Sequence, residues 1–128
     1  MLVGTGTDLV EIARVRASIA RFGDRFLARV FTPGEIAYCN RKKNAAESYA
    51  ARFAAKEAGA KALGTGISRG VHWRELEVRR SAGQRPELHL SGRAADLAKA
   101  MGVVNISLSL THTRDLAMAV VLLEDGKS

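Results

Sequence analysis

Phe53-Ala54-Ala55-Lys56-Glu57-Ala58-Gly59-Ala60-Lys61-Ala62-Leu63 reads as a helix built mostly of alanine. Small side chains let such a helix pack closely, yet this one carries two lysines and a carboxylate. Phe53, Glu57 and Lys61 are spaced by four and share one helical face. A carboxylate beside ammonium groups on a closely packing helix suits the joint holding of a metal and a phosphate. The same spacing is also an ordinary surface support, worth about 0.3–0.5 kcal/mol. The rest of the chain decides between the two.

Upstream, Asn44-Ala45-Ala46-Glu47 is a variant capping box that opens this helix, and Gly64 stops it. Gly64-Thr65-Gly66 is then a tight glycine loop. Thr32-Pro33-Gly34-Glu35 is another helix start, with threonine at the cap, proline at the first helical position and glutamate at the third. Before it, Leu2 to Thr7 reads as a short strand, with Asp8 where the strand should end. A helix fits Glu11 to Phe22 and stops near Gly23; Asp24 to Phe31 adds a further helical turn or two.

Downstream the period changes. Trp73 to Arg80 alternates weakly, Gly83 to Pro86 is a hairpin turn, and Glu87 to Leu90 follows as a strand. Ser91 caps a short helix ending near Gly102. Val104, Ile106, Leu108 and Leu110 alternate with polar residues, a half-buried strand. Leu116 to Leu123 is nearly all apolar and reads as a more fully buried strand. Helices first and hairpins later give an α+β fold, expected as a single domain over residues 1–128.

Composition narrows the function. Lysine and arginine outnumber aspartate and glutamate by 20 to 13, for a net charge of +7, which favours acidic partners. Aromatic residues make up only 5%, less than a binder of unstacked nucleic acid usually offers. No apolar run approaches the roughly 20 residues of a membrane span, and no signal peptide is visible. Cys39 is the only cysteine, so no intrachain disulfide can form, and a cytoplasmic location is expected.

Four places can carry chemistry. Asp8 is either a metal ligand at a strand end or a cap for the next helix. Glu57, flanked by Lys56 and Lys61, adds a second hard oxygen donor; with Asp8 it suits Mg²⁺. In Leu110-Thr111-His112-Thr113-Arg114, a histidine among hydroxyls suits a phosphate or a proton-transfer site, or is simply hydrogen-bonded in its turn. The spacing of His72, His89 and His112 does not suit zinc, and there is no second cysteine. Arg14, Arg21, Arg25 and Arg29 form either a solvated face or a docking patch for an acidic protein. Arg25 joins Arg14 and Arg21 only if the helix continues through Gly23.

These places occur together in one family. Gly4-Thr5-Gly6-Thr7-Asp8-Leu9-Val10-Glu11-Ile12, the run from Arg52 through Gly66, Gly83-Gln84-Arg85-Pro86, and Leu108-Ser109-Leu110-Thr111-His112-Thr113 resemble, in order and spacing, the motifs of bacterial holo-(acyl-carrier-protein) synthases. These are small trimeric 4′-phosphopantetheinyl transferases. Thr7 and Thr113 depart from the commoner residues there without touching a proposed ligand. The resemblance implies an antiparallel sheet packed on a long helix, and Mg²⁺-dependent transfer of phosphopantetheine from coenzyme A to a serine of apo acyl carrier protein. It implies that Asp8 and Glu57 hold the metal and that Lys61 neutralises phosphate charge. Glu57, or a metal-bound water it orients, is the candidate base, with Asp8 as competitor. Arg52, Lys61, Gly64, Thr65, Gly66, Pro86, His112 and Thr113 would bind coenzyme A, at sites between subunits of a homotrimer. Arg14, Arg21 and Arg25 would dock the carrier, and nucleic acid and membrane would not be partners. Two other readings fit less: a basic RNA-binding α+β module explains the charge but not Asp8 and Glu57, and a metal-dependent phosphate hydrolase would need no acceptor.

Overall fold

A computed structural model describes residues 1–127 and resolves them into five helices and two antiparallel sheets. In chain order, β1 (Leu2–Glu11) leads into α1 (Ile12–Phe22), α2 (Asp24–Val30), α3 (Pro33–Asn40) and α4 (Ala45–Ala62). A 3-10 turn (Trp73–Glu75) precedes β2 (Leu76–Arg79), β3 (Glu87–Leu90), α5 (Gly92–Ala100), β4 (Val103–His112) and β5 (Leu116–Asp125). One sheet has the order β1-β5-β4, and the other is the hairpin β2-β3. The result is the expected α+β arrangement, with a sheet packed on the long helix.

The N-terminal glycines explain how close that packing is. A Cβ on Gly6 would collide with the Ala58 carbonyl oxygen and lie 2.8 Å from the Ala62 nitrogen. One on Gly4 would collide with the Ala62 carbonyl. Both obstacles are backbone, which cannot swing aside. Glycine in β1 and alanine in α4 therefore bring strand and helix into backbone contact. Gly6→Ala is expected to lower the urea midpoint by an overpacking cost of about 1–3 kcal/mol. An unchanged midpoint would show that the close approach is dispensable.

The caps follow the sequence. Thr32 and Glu35 complete a reciprocal capping box on α3. Asn44 accepts from the Glu47 amide at 3.4 Å to start α4. Gly64, at φ 85°, ends α4, and the Thr65 and Gly66 amides fold back to the Ala60 carbonyl. Ser91 occupies the cap of α5, but its side chain forms no cap bond. Glu75 does that work, accepting from the Arg93 amide at 2.7 Å.

Three expectations need correction. β1 does not stop before Asp8 but runs to Glu11, paired throughout with β5, so Asp8 is neither a strand end nor a helix cap. Trp73 to Glu75 is a 3-10 turn, and only Leu76–Arg79 is strand. The helix breaks at Gly23, so Arg25 does not extend the face of Arg14 and Arg21. β5 is more fully buried than β4, as expected. Ala117, Ala119, Val121 and Leu123 pack inward, whereas Met118 and Leu122 remain 36% exposed, because α4 covers only one face of the sheet. An apolar run fits that pattern once the outer face is apolar too.

Candidate active site

Side chains alternate along a strand, so Gly4, Gly6, Asp8 and Val10 share the inner face of β1. The two glycines draw β1 onto α4, and Asp8 is the next inward position. It meets α4 at the face that carries Glu57 and Lys61. Lys61 Nζ donates to Asp8 Oδ1 at 3.0 Å and to the Thr7 carbonyl at 3.1 Å. Asp8 is largely enclosed, at 16% side-chain exposure, whereas Lys61 is 49% exposed, so its ammonium is open to an arriving phosphate.

Glu57 lies one helical turn before Lys61. Burial raises its carboxyl above the usual carboxylate range; the charge of Asp8 adds to this, and Lys61 offsets part of it. Phe53, one turn further back, Phe26, Val15 and Arg14 join Asp8 and Glu57 around a cleft of about 410 Å³. Two carboxylates thus line one cleft while only Asp8 is bonded to an ammonium, an excess of negative charge that a cation would relieve. The donor set fits Mg²⁺, which takes one or two carboxylates and leaves its other positions to water and phosphate oxygens. Among the described residues no group of three or more histidine, cysteine, aspartate and glutamate side chains gathers at one point, as a site built wholly from protein ligands would need.

Lys56 is not part of this cleft. It points to the opposite side, fully buried, and pairs with the equally buried Glu35 at 2.6 Å. Its remaining protons go to the Trp73 and Leu76 carbonyls at 3.1 and 2.7 Å. Glu35 also accepts from the Thr32 and Val78 amides. Burial pushes the Lys56 ammonium below its ordinary value, although Glu35 opposes the shift. The pair ties α3, α4 and β2 together.

The other expected residues lie elsewhere in the chain. His112 Nε2 sits 2.8 Å from Glu47 Oε1, in the first turn of α4. Glu47 precedes Glu57 by ten residues, about 15 Å along the helix axis. The Thr113 hydroxyl accepts from the Asp115 and Leu116 amides and shapes the β4–β5 turn. Arg52 is buried against the ring of Tyr38, its guanidinium carbon 4.1 Å from the ring centre. Pro86 lies in the β2–β3 hairpin loop. One chain therefore gathers Asp8, Glu57 and Lys61, with Gly64–Gly66 just past the helix end, and leaves His112 at the other end of α4.

The family model described as the 4′-phosphopantetheinyl transferase superfamily matches residues 4–121. The chain belongs to this superfamily. A holo-[acyl-carrier-protein] synthase of Solibacter usitatus (strain Ellin6076) is 56% identical over 125 residues, covering 98% of this chain and all of the relative. The crystal structure of the Neisseria meningitidis synthase superposes with a TM-score of 0.87 at 35% identity, covering 98% of this chain and all of that one. The Helicobacter pylori synthase, solved in complex with coenzyme A, gives 0.82 at 33% identity and covers 94% of this chain and 99% of its own. The superfamily match spans both groups of residues described above, the carboxylates with Lys61 and the His112 turn.

Beside the carboxylates, this member of the superfamily presents a basic surface. Arg14 is exposed and lines the cleft itself. Arg21 lies over the exposed ring of Phe22 at 5.1 Å. Beyond the break at Gly23, Arg25 and Arg29 gather with Phe22 and Phe26 around a second, shallow hollow. Sequence reasoning missed Glu47 as the partner of His112, and Tyr38 as the platform under Arg52. Glu47 carried a signal, as the acidic residue of the capping motif. Tyr38 carried none, since its meaning comes only from the way α3 folds back on α4.

Proposed function

We propose that this chain transfers the 4′-phosphopantetheine arm of coenzyme A to a serine hydroxyl of an apo acyl carrier protein, releasing adenosine 3′,5′-bisphosphate. The observation that carries the reading is the gathering of Asp8, Glu57 and Lys61 where β1 packs on α4, in a chain of this superfamily. Asp8 and Glu57 are the residues to hold Mg²⁺, which when bound would draw negative charge from the pyrophosphate and orient it. The serine oxygen attacks the phosphorus on the pantetheine side. The bond from that phosphorus to the bridging oxygen breaks, and its electron pair leaves with the nucleotide. Glu57 is the candidate to take the serine proton, with Asp8, which is tied to Lys61, as the competitor. Lys61 neutralises charge as it builds on the leaving phosphate.

On the same reading the chain forms a homotrimer with sites between subunits, and two observations support this. It would cover the outer face of the three-stranded sheet, where Leu9 is 61% and Met118 and Leu122 are 36% exposed. It would also let the His112 end of one α4 serve the carboxylates of a neighbour. Arg52, Gly64, Thr65, Gly66, Pro86, His112 and Thr113 are assigned to coenzyme A on the same reading. No helix is long and apolar enough to cross a membrane. We place the protein in the cytoplasm and in fatty acid biosynthesis, on the chemistry of its substrates.

The reading is tested by mixing protein, coenzyme A, Mg²⁺ and apo carrier and following the nucleotide product. Adenosine 3′,5′-bisphosphate should form only when the carrier is present. Formation without an acceptor would favour the hydrolase reading. Within this reaction, Lys61→Ala is expected to lower kcat about a hundredfold, the effect of losing about 3 kcal/mol of transition-state stabilisation. A shift confined to the Michaelis constant for coenzyme A would make Lys61 a ground-state binder. Charge reversal at Arg14 and Arg21 is expected to weaken use of the acidic carrier and flatten the dependence of its rate on ionic strength, leaving coenzyme A affinity nearly unchanged. Equal salt slopes for wild type and variant would reduce these arginines, and Arg25 with them, to a solvated face.

A further inference from the structure

Asp8 and Lys61 differ in how freely they can move. Asp8 sits within the β1–β5 ladder, opposite Ala119, and its side chain is only 16% exposed. Its carboxylate is therefore fixed in place. Lys61 lies in the last turn of α4, 49% exposed, on a flexible four-carbon stem. Two of its three ammonium protons are in use, at 3.0 Å on Asp8 Oδ1 and 3.1 Å on the Thr7 carbonyl. The third is open to a phosphate oxygen. Glu57 forms no ion pair among the described residues. Two carboxylates and one ammonium sum to at most a single negative charge. That is little to hold Mg²⁺, which gives up its water reluctantly and is usually bound by one or two carboxylates together with substrate phosphates.

The ammonium also competes directly. A divalent cation on Asp8 would face a like charge bonded to the same carboxylate, at the short range where such repulsion is strong. An anion beside them removes the conflict, because the mobile ammonium can turn to it and leave Asp8 to the metal. We propose that Lys61 couples divalent-cation binding to the pyrophosphate of coenzyme A. Before the substrate arrives it neutralises Asp8 and weakens the site for the metal; on arrival it exchanges the carboxylate for a phosphate oxygen. Lys61 is then a positioning residue for the metal, besides its part in the transfer step. Coupling of this kind is reciprocal, so the metal tightens coenzyme A by the same factor. The inference rests on the coenzyme A reading above.

The test is a Mn²⁺ titration followed by electron paramagnetic resonance, which reads the free ion, at fixed neutral pH and without carrier. It uses full-length wild type, Lys61→Met and Lys61→Arg, each shown by thermal melting to be folded. Each is titrated alone and with coenzyme A at a saturating concentration, after subtraction of the Mn²⁺ that coenzyme A takes up in protein-free controls. Alone, Lys61→Met should bind Mn²⁺ about tenfold more tightly than wild type, within the usual range for coupled sites. Coenzyme A should tighten Mn²⁺ on wild type, and that gain should be about tenfold smaller in Lys61→Met. Lys61→Arg, which keeps the charge, should stay near wild type. A Lys61→Met protein that binds Mn²⁺ no more tightly than wild type, or that keeps the full gain from coenzyme A, would overturn the proposal. So would wild-type Mn²⁺ binding that coenzyme A leaves unchanged, or no bound Mn²⁺ in any of the three. Because binding is read without the carrier, failure of the transfer reaction would count against the proposed function and not against this coupling.

Discussion

Glu57→Gln should abolish transfer and at the same time raise the melting temperature of the metal-free protein at neutral pH. The loss of activity should reach about a thousandfold, the midrange for removing a positioned general base, with loss of a metal ligand adding to it. The gain in stability follows from the sign of the perturbation. Burial, then Asp8, raises the Glu57 carboxyl in the folded state, so its ionised form is disfavoured there relative to the unfolded chain. The penalty is absent at acid pH, where the group is protonated in both states. It grows as pH rises through the ordinary carboxylate range and is complete above the raised value. Glutamine removes the charge and with it the penalty, so the melting curves of wild type and variant should coincide in acid and separate towards neutrality. Adding Mg²⁺ should raise the melting temperature of wild type and not of the variant. A Glu57→Gln protein that is less stable at neutral pH, or that retains near-normal turnover, would remove Glu57 from the centre of the site. Asp8→Ala should lose transfer as well, since it removes the other oxygen donor and the partner of Lys61.

The second large effect concerns stability alone. Lys56→Ala should destabilise the fold by about 3–5 kcal/mol, the cost of leaving one half of a buried ion pair uncompensated. The stranded group would be Glu35, which is 1% exposed. The Trp73 and Leu76 carbonyls would lose a donor as well. The double variant Lys56→Met with Glu35→Leu removes both charges and should recover much of the loss. Urea denaturation of the two single variants and the double variant measures the coupling. Additive losses would show that the pair is not the unit that joins α3, α4 and β2.

These two residues, neighbours in sequence, show what the chain disclosed and what it withheld. The spacing of Phe53, Glu57 and Lys61 was enough to place them on one face, and the structure sets Glu57 and Lys61 beside Asp8 there. The caps at Thr32 and Asn44 and the stop at Gly64 rest on local hydrogen bonding and were equally legible. Lys56 was not. Next to Glu57 it looks like part of the same cationic site, and only the packing of α3 and β2 shows that it faces a different partner. Asp8 was singled out as a strand end, and that reason fails. Its strand does not end there; the glycines before it bring the helix close enough for Lys61 to reach it. Arg52 and Tyr38 meet through the α3–α4 turn, a tertiary contact without a periodic signature.

Intact-mass spectrometry of an apo acyl carrier protein tests the central claim most directly. The carrier would be incubated with this protein, coenzyme A and Mg²⁺, and in parallel with the Asp8→Ala and Glu57→Gln variants. The wild-type reaction should convert the carrier to a single heavier species, larger by one phosphopantetheine arm and lost when the acceptor serine is replaced. The variants should leave the mass unchanged over the same time. A carrier that keeps its apo mass with folded wild-type protein, across several carriers, would contradict the account.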